Sequence, residues 1–292
     1  MLVGFPPGGA ADFVARAIGE PLAKELGQPI VIENRPGAGS SIAAELAARA
    51  APDGYTILIA SPSSQMVNPL LMPKLGYNAK TDFLPITQVS ASPMVVAANP
   101  AIGVTTLREL VDAAKKAPGK LNFASSGNGS APHLAGVLFL RVAGVDMVHV
   151  PFKGGGPAVA SVLAGDTQVT FATPPSVLPQ IEAGRLRGLA VTSRKGSPLF
   201  PNLPGTEAAG LPDYEISFWY GFFAPAGTPA PVVRRLFDAT AVALQKPEVR
   251  QMLARDGTEA AGSRSPEDFG AFLAAEEKLW FRIVKESGAK LD

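Results

Sequence analysis

Three times along this chain an apolar run ends in a glycine- and hydroxyl-rich loop that opens onto a helical pattern. The first is Leu2-Val3-Gly4-Phe5-Pro6-Pro7-Gly8-Gly9-Ala10-Ala11-Asp12. The second is Ser125-Ser126-Gly127-Asn128-Gly129-Ser130-Ala131-Pro132, after an apolar run at 119–124. The third is Pro151-Phe152-Lys153-Gly154-Gly155-Gly156-Pro157, after one at 145–150. Strands that pass to helices through short loops, again and again, make an α/β protein with parallel pairing. Prolines stiffen the exit from a strand. Glycines let the backbone pass close to another group. The first amides of a helix lack intrahelical partners and suit an anion. The plainer reading of the first loop is a turn whose Asp12 only complements the helix dipole.

The remaining chain keeps the alternation. Phe13, Val14, Ile18, Leu22 and Leu26 have helical spacing, which Pro21 should kink or interrupt. Residues 29–33 read as a strand and 42–50 as a helix, with Ser40 or Ser41 as its N-cap. Gly37 and Gly39 lack the third glycine of a dinucleotide fingerprint, since position 42 is Ile, so NAD binding is rejected. The strand at 55–60 ends in Ser61-Pro62-Ser63-Ser64-Gln65. Hydroxyls there either face a ligand at the carboxyl edge of the sheet or serve the turn, and the two readings weigh equally. There are too many strands for one compact sheet, and Pro/Gly breaks stand near 99 and 225. Two α/β lobes follow, 1–98 with 225–292 and 99–224, joined by two hinge crossings. The loops at 6–12, 125–133 and 151–157 would then face one another across a cleft that closes by hinge motion.

Composition removes several kinds of chemistry. The 292 residues carry a net charge of +1 with no run of like charge, which argues against a nucleic-acid surface. With no cysteine there is no disulfide, thiolate nucleophile or Cys-based zinc site. His133 and His149 stand far apart in sequence without nearby carboxylate clusters, so no metal site and no cofactor are expected. Ser130 and His133 are three residues apart, but no third acid and no G-x-S-x-G elbow accompany them. Ser130 as a helix cap is the preferred reading over Ser130 as a nucleophile. What remains is a cleft rich in amides and hydroxyls, suited to a small carboxylate.

Several ordered motifs carry a resemblance: FPPGGAAD at 5–12, GQPIVIENRPGAGSSIAA at 27–44, PDGYT at 52–56 and VNPLL at 67–71. Further on come LNFASSGNGSAPHLAGVLF at 121–139, VPFKGGGPAVASVLAGDTQVTF at 150–171, LRGLAVTS at 186–193 and FWYGFFAPAGTP at 218–229. Over essentially its whole length the chain resembles the substrate-binding proteins of tripartite tricarboxylate transporters, the TctC or Bug type. The resemblance implies a two-lobed, Venus-flytrap periplasmic-binding-protein fold of type II-like form. It also implies a monomer that captures an organic acid in the periplasm, performs no catalysis and delivers its ligand to membrane permease subunits. By motif, the ligand loops are those holding Phe5, Pro7, Gly8, Gly9 and Asp12 in one lobe and Ser125, Ser126, Gly127, Gly129, Ser130 and His133 in the other. Ser61, Ser63, Ser64, Phe152, Lys153, Gly154 and Thr173 would line the rest.

The chain departs from the family pattern in places. Ser64-Gln65 stands where many relatives read Ser/Thr-His. Ala172 stands where many carry an Asp, which favours a simple mono- or dicarboxylate over a ligand with an amino group. No signal peptide precedes Leu2, and Leu2 to Phe5 is short for a buried parallel strand. Upstream residues are therefore expected to extend that strand and to raise stability. A ligand sensor for a signalling partner and, less favoured, a Ser130-dependent hydrolase are the alternative functions.

Overall fold

The computed structural model describes residues 1–72, 74–152, 154–255 and 257–287, and divides into two compact units. The first part of the chain gives β1 (Leu2–Val3), α1 (Ala10–Leu26), β2 (Glu33–Asn34), α2 (Ser41–Ala48), β3 (Leu58–Ala60), α3 (Asn68–Leu71) and β4 (Phe83–Pro93). The second gives β5 (Val95–Ala98), α4 (Leu107–Lys116), β6 (Asn122–Ser125), α5 (Ala131–Ala143), β7 (Val148–Pro151), α6 (Gly155–Ala164), β8 (Val169–Ala172), α7 (Pro174–Glu182) and β9 (Arg187–Val191). The last gives β10 (Ser217–Pro225), α8 (Ala230–Gln245), α9 (Pro247–Arg255), β11 (Glu259–Ala260) and α10 (Pro266–Ser287).

Unit 1 is built on a six-stranded sheet of order β11-β4-β10-β3-β1-β2. Its β2, β1 and β3 are parallel, with Leu2 opposite Glu33 on one side and Leu58 on the other. The chain leaves β1 toward β2 and returns to β3 on the far side, so the order reverses at β1. Open α/β sheets bind ligands at the carboxyl edge of such a reversal. Unit 2 repeats the device in a sheet of order β7-β6-β8-β5-β9, where β6 lies parallel to both β7 and β8. The cores are apolar and continuous: Val14, Ile18 and Leu22 bury the inner face of α1, and Phe123, Phe139 and Phe171 fill unit 2.

The expected strand at 29–33 shrinks to Glu33–Asn34, because β1 offers partners only from Leu2 to Val3. Pro21 does not interrupt α1, which runs unbroken past it. The lobe boundaries also differ from the expected ones. Among the described residues unit 1 holds 1–91 and 219–282, and unit 2 holds 92–218 and 283–287. The crossings are therefore three rather than two, and β5 is a strand of the second sheet. The break near 99 follows β5 and the break near 225 follows β10; β4 and β10 themselves carry the chain from unit to unit. At the edge of unit 1, Trp219 and Trp280 both donate their indole N–H to Oε2 of Glu276, each at 2.8 Å.

Candidate functional site

In unit 1 the carboxyl ends of β2, β1 and β3 lie side by side, and the loops leaving them gather at one edge. The first loop is held by Asp12. Its Oδ2 accepts the Gly8 amide and Arg16 Nε, both at 2.9 Å, while Oδ1 accepts Asn34 Nδ2 at 3.0 Å. The same Asn34 nitrogen donates to the Phe5 carbonyl at 3.0 Å. Asp12 is buried. Arg16 above all, with the Gly8 and Asn34 donors adding to it against the cost of burial, pulls its carboxyl from 3.8 down to about 2. Asp12 thus faces into the loop it closes. Pro7 and Gly8 are exposed, Phe5 and Gly9 half-buried, and Gly8 has φ +80°. Gly9 is the N-cap of α1 and brings no side-chain bond, so the first amides of that helix keep their donors uncapped.

The second loop of this edge packs onto the first. A Cβ on Gly4 would lie 1.8 Å from Ser40 Oγ. Ser40 and Ala38 are left-handed, with φ of 76° and 45°, conformations that cost an ordinary residue about 1–2 kcal/mol. Ser40 is the N-cap of α2, but its hydroxyl makes no capping bond, since the left-handed backbone turns it away from the helix amides. Asn68 compensates: Nδ2 donates to the carbonyls of Ala38 and Gly39 at 3.1 and 2.9 Å and to Ser41 Oγ at 2.8 Å. After β3 the chain enters a π-helical turn, Ser63–Val67, of a kind found at functional sites. Ser61 and Ser64 are buried and Ser63 half-buried. Ser64 Oγ reaches the Ser61 carbonyl, and Tyr77 donates to the Ser64 carbonyl at 2.6 Å. Among the described residues the buried hydroxyls of Ser40 and Ser61 have no hydrogen-bond partner.

Unit 2 gathers the loops after β6, β7 and β8. Ser125 is buried, and its Oγ lies 2.6 Å from His149 Nε2 and 3.1 Å from both the nitrogen and the carbonyl oxygen of Gly127. Ser130 is the N-cap of α5: its Oγ accepts the His133 amide at 3.4 Å and donates to the Gly127 carbonyl at 2.6 Å. The His133 ring takes the Gly129 amide on Nδ1 at 3.1 Å. Ser130 therefore meets the backbone of His133 and not its imidazole, so the two do not form a nucleophile–base pair. The Phe152 amide donates to the Ser125 carbonyl at 2.9 Å, and a Cβ on Gly127, at φ +126°, would lie 3.4 Å from the Phe152 carbonyl. Lys153 lies outside the described residues.

Beside these loops is a cavity of about 130 Å³, walled by Ser126, Gly155, Thr170, Ala172, Thr173 and Ser176 among others. Two helices begin at it without a side-chain cap: α6 after Gly154, and α7 after Thr173. Thr170 donates to the Ala124 carbonyl, and Ser176 donates to the Thr173 carbonyl at 2.7 Å. Among the described residues the cavity wall carries no charged side chain and is rich in hydroxyls.

His133 and His149, distant in sequence, are stacked: their ring centroids are 4.0 Å apart at 18°. Burial lowers the His133 pKa, and burial together with the His133 charge lowers that of His149 to about 4. Both rings are neutral near pH 7. A histidine depressed by folding contributes stability above its unfolded value of 6.5 and loses it as the pH falls toward the folded value. Asp12 adds the same sign lower down, its contribution vanishing between pH 3.8 and about 2. The urea midpoint is expected to fall from about pH 6.5 downward and to fall further below about pH 4. A midpoint that is flat from neutrality to pH 4 contradicts the neutral stacked pair.

Sequence reasoning did not single out Asn34, Asn68, Ser176 or His149. Asn68 sits inside the VNPLL motif, and a lone His in an otherwise apolar strand was the available signal for His149.

Residues 14–289 match the family model described as the tripartite tricarboxylate transporter family receptor, TctC. The Bordetella pertussis protein BugT is 36% identical over 292 residues, covering all of this chain and 89% of its own. A Rhodopseudomonas palustris protein solved with adipate is 34% identical with a TM-score of 0.82, covering 99% of this chain and 97% of its own. The malate-bound MatC of the same organism is 32% identical with a TM-score of 0.77, covering 97% of each chain.

Proposed function

The chain belongs to the tripartite tricarboxylate transporter receptor family, a family of periplasmic solute-binding proteins, and from that premise we propose that it captures a small mono- or dicarboxylate for delivery to the membrane permease subunits of such a transporter. The observation that carries this reading is the unit 2 cavity. Hydroxyls of Ser126, Thr173 and Ser176 and the uncapped glycine amides that open α6 surround a space of carboxylate size with no carboxylate side chain in its wall, while α7 opens on Pro174 and Pro175, which have no N–H to give. Helix N-termini carry partial positive charge, and bonds from amides to an ionised oxygen are about twice as strong as neutral ones. In unit 1 the start of α1, behind the loop that Asp12 closes, is likewise uncapped. The Asp12 charge itself is spent on Arg16, Gly8 and Asn34, so it repels an incoming anion less than a free carboxylate would. Ala172, in place of an acid, leaves nothing to pair with an ammonium. The protein acts as a monomer, outside the cytoplasm.

Thermal shift tests this. At about a hundredfold its dissociation constant, a true ligand adds roughly 2.7 kcal/mol of stability. Adipate, malate and shorter monocarboxylates form the first panel, with a neutral sugar and an amino acid as controls. A rise for carboxylates alone supports the reading; a rise for the sugar and none for any acid removes it.

A further inference from the structure

The loop between Ser125 and Ser130 is held by two imidazoles, and one of them can hold it only while uncharged. The Gly129 amide donates to His133 Nδ1 at 3.1 Å, so Nδ1 carries a lone pair and the neutral ring bears its hydrogen on Nε2. A second proton has only Nδ1 to occupy. There it would face the Gly129 N–H, and an accepted bond would become a donor–donor clash. The charge would also lie against the His149 ring, 4.0 Å away and itself stacked on Phe123 at 4.9 Å. His149 Nε2 in turn holds Ser125 Oγ, which takes the Gly127 amide. Each imidazole therefore fixes one glycine amide of the loop, His133 directly and His149 through Ser125.

Among the described residues of the flanking elements no carboxylate offsets a proton here. The rings are carried by α5 and β7, β6 lies against them through Phe123, and β8 is next in the sheet, with α6 beyond it. The strands β6 and β8 and the helix α6 contain no titratable side chain, and β7 contributes only His149. Helix α5 contributes His133 and, two turns on, Arg141, whose charge is of the same sign. The lowered pKa of both rings fits this surrounding.

We propose that the stacked His133–His149 pair is an acid-sensitive latch on the 125–130 loop, and that a proton on His133 releases Gly129, loosens the loop and weakens ligand binding. The effect on binding rests on the reading of this loop as a ligand loop; the latch itself does not. His149 is a positioning residue, acting through Ser125.

The test uses the full chain, labelled with ¹⁵N, taken from about pH 7.5 to about pH 4.5. The Gly127 and Gly129 amide resonances are expected to move with the titration of the His133 ring. Their exchange protection, corrected for intrinsic rate, should drop about tenfold or more. In His133→Asn the side-chain oxygen replaces Nδ1 as acceptor and cannot titrate, so the pH response of Gly129 should vanish. His149→Phe keeps a stacked ring but removes the partner of Ser125, so Gly127 should lose protection while Gly129 keeps its pH response. A Gly129 amide that stays still while His133 titrates overturns the latch. Binding of adipate and malate is measured over the same range, with affinity expected to fall about tenfold. Amides that titrate while neither acid binds at any pH leave the latch standing and remove the carboxylate reading. Amides that titrate while a bound acid keeps its affinity throughout overturn the control of binding.

Discussion

Asp12→Ala is expected to lower the free energy of unfolding by about 2 kcal/mol, read from urea denaturation with an unchanged slope. The substitution removes one buried acceptor and three bonds to an ionised oxygen, but the exposed Gly8 amide regains water and Asn34 keeps the Phe5 carbonyl, so the loss is that of the bonds, about 1 kcal/mol or a little more, and not of stranded buried groups. Arg16 is half exposed and regains water, so its share is small. Loss of an acid from the first turn of α1 adds a few tenths, up to about 1 kcal/mol. Asp12→Asn keeps the shape and one acceptor oxygen, and should cost about half as much. In the proposed function the loop also loses its closed form, and carboxylate affinity should fall about tenfold or more with it. A loss below about 1 kcal/mol for the alanine variant would show that the loop stands without its acid.

Gly4→Val is the second large effect, at about 3 kcal/mol or more. Even the first added carbon would sit 1.8 Å from Ser40 Oγ, 2.5 Å from its Cβ and 2.7 Å from its Cα. Ser40 has little room to yield. Its backbone is left-handed, and the residues just before it are tied by Asn68. The strain has a specific remedy. Ser40→Gly removes the Oγ and Cβ and lets a glycine take the φ of 76°, so it should recover about half of the loss in Gly4→Ala. A double-mutant cycle measures this as a coupling of about 1 kcal/mol or more. Additive losses would mean that the two residues do not meet.

The α/β class and the three glycine loops are legible in the sequence because strand, turn and helix are written locally. The N-cap role of Ser130 follows from its neighbours alone, and the structure has it. What escapes is whatever depends on a distant partner. The shortness of β2 follows from β1, and nothing between residues 29 and 33 signals it. The crossing at 91/92 lies within Ser90-Ala91-Ser92-Pro93, whose lone proline does not end the strand, because the chain passes between units along β4. The stacking of His133 on His149 is created by β6 and β7 lying parallel with Phe123 opposite His149, a register no local pattern records. Asp12 is the mixed case: the sequence marks it as special, but only Asn34, from the next strand, shows that it faces inward.

The two tryptophans of this chain are both in unit 1, fully buried, with their indoles on one carboxylate oxygen. Indole emission from this protein is therefore a one-sided gauge. Tyr214 and the stacked histidines of unit 2 contribute nothing to it, so a ligand confined to the unit 2 cavity leaves the spectrum unchanged unless the disturbance travels through the chain to Trp219 or α10. A spectral shift on adding a carboxylate would thus be a signal of transmission, and its absence beside a clear rise in melting temperature would mark binding that stops where it starts.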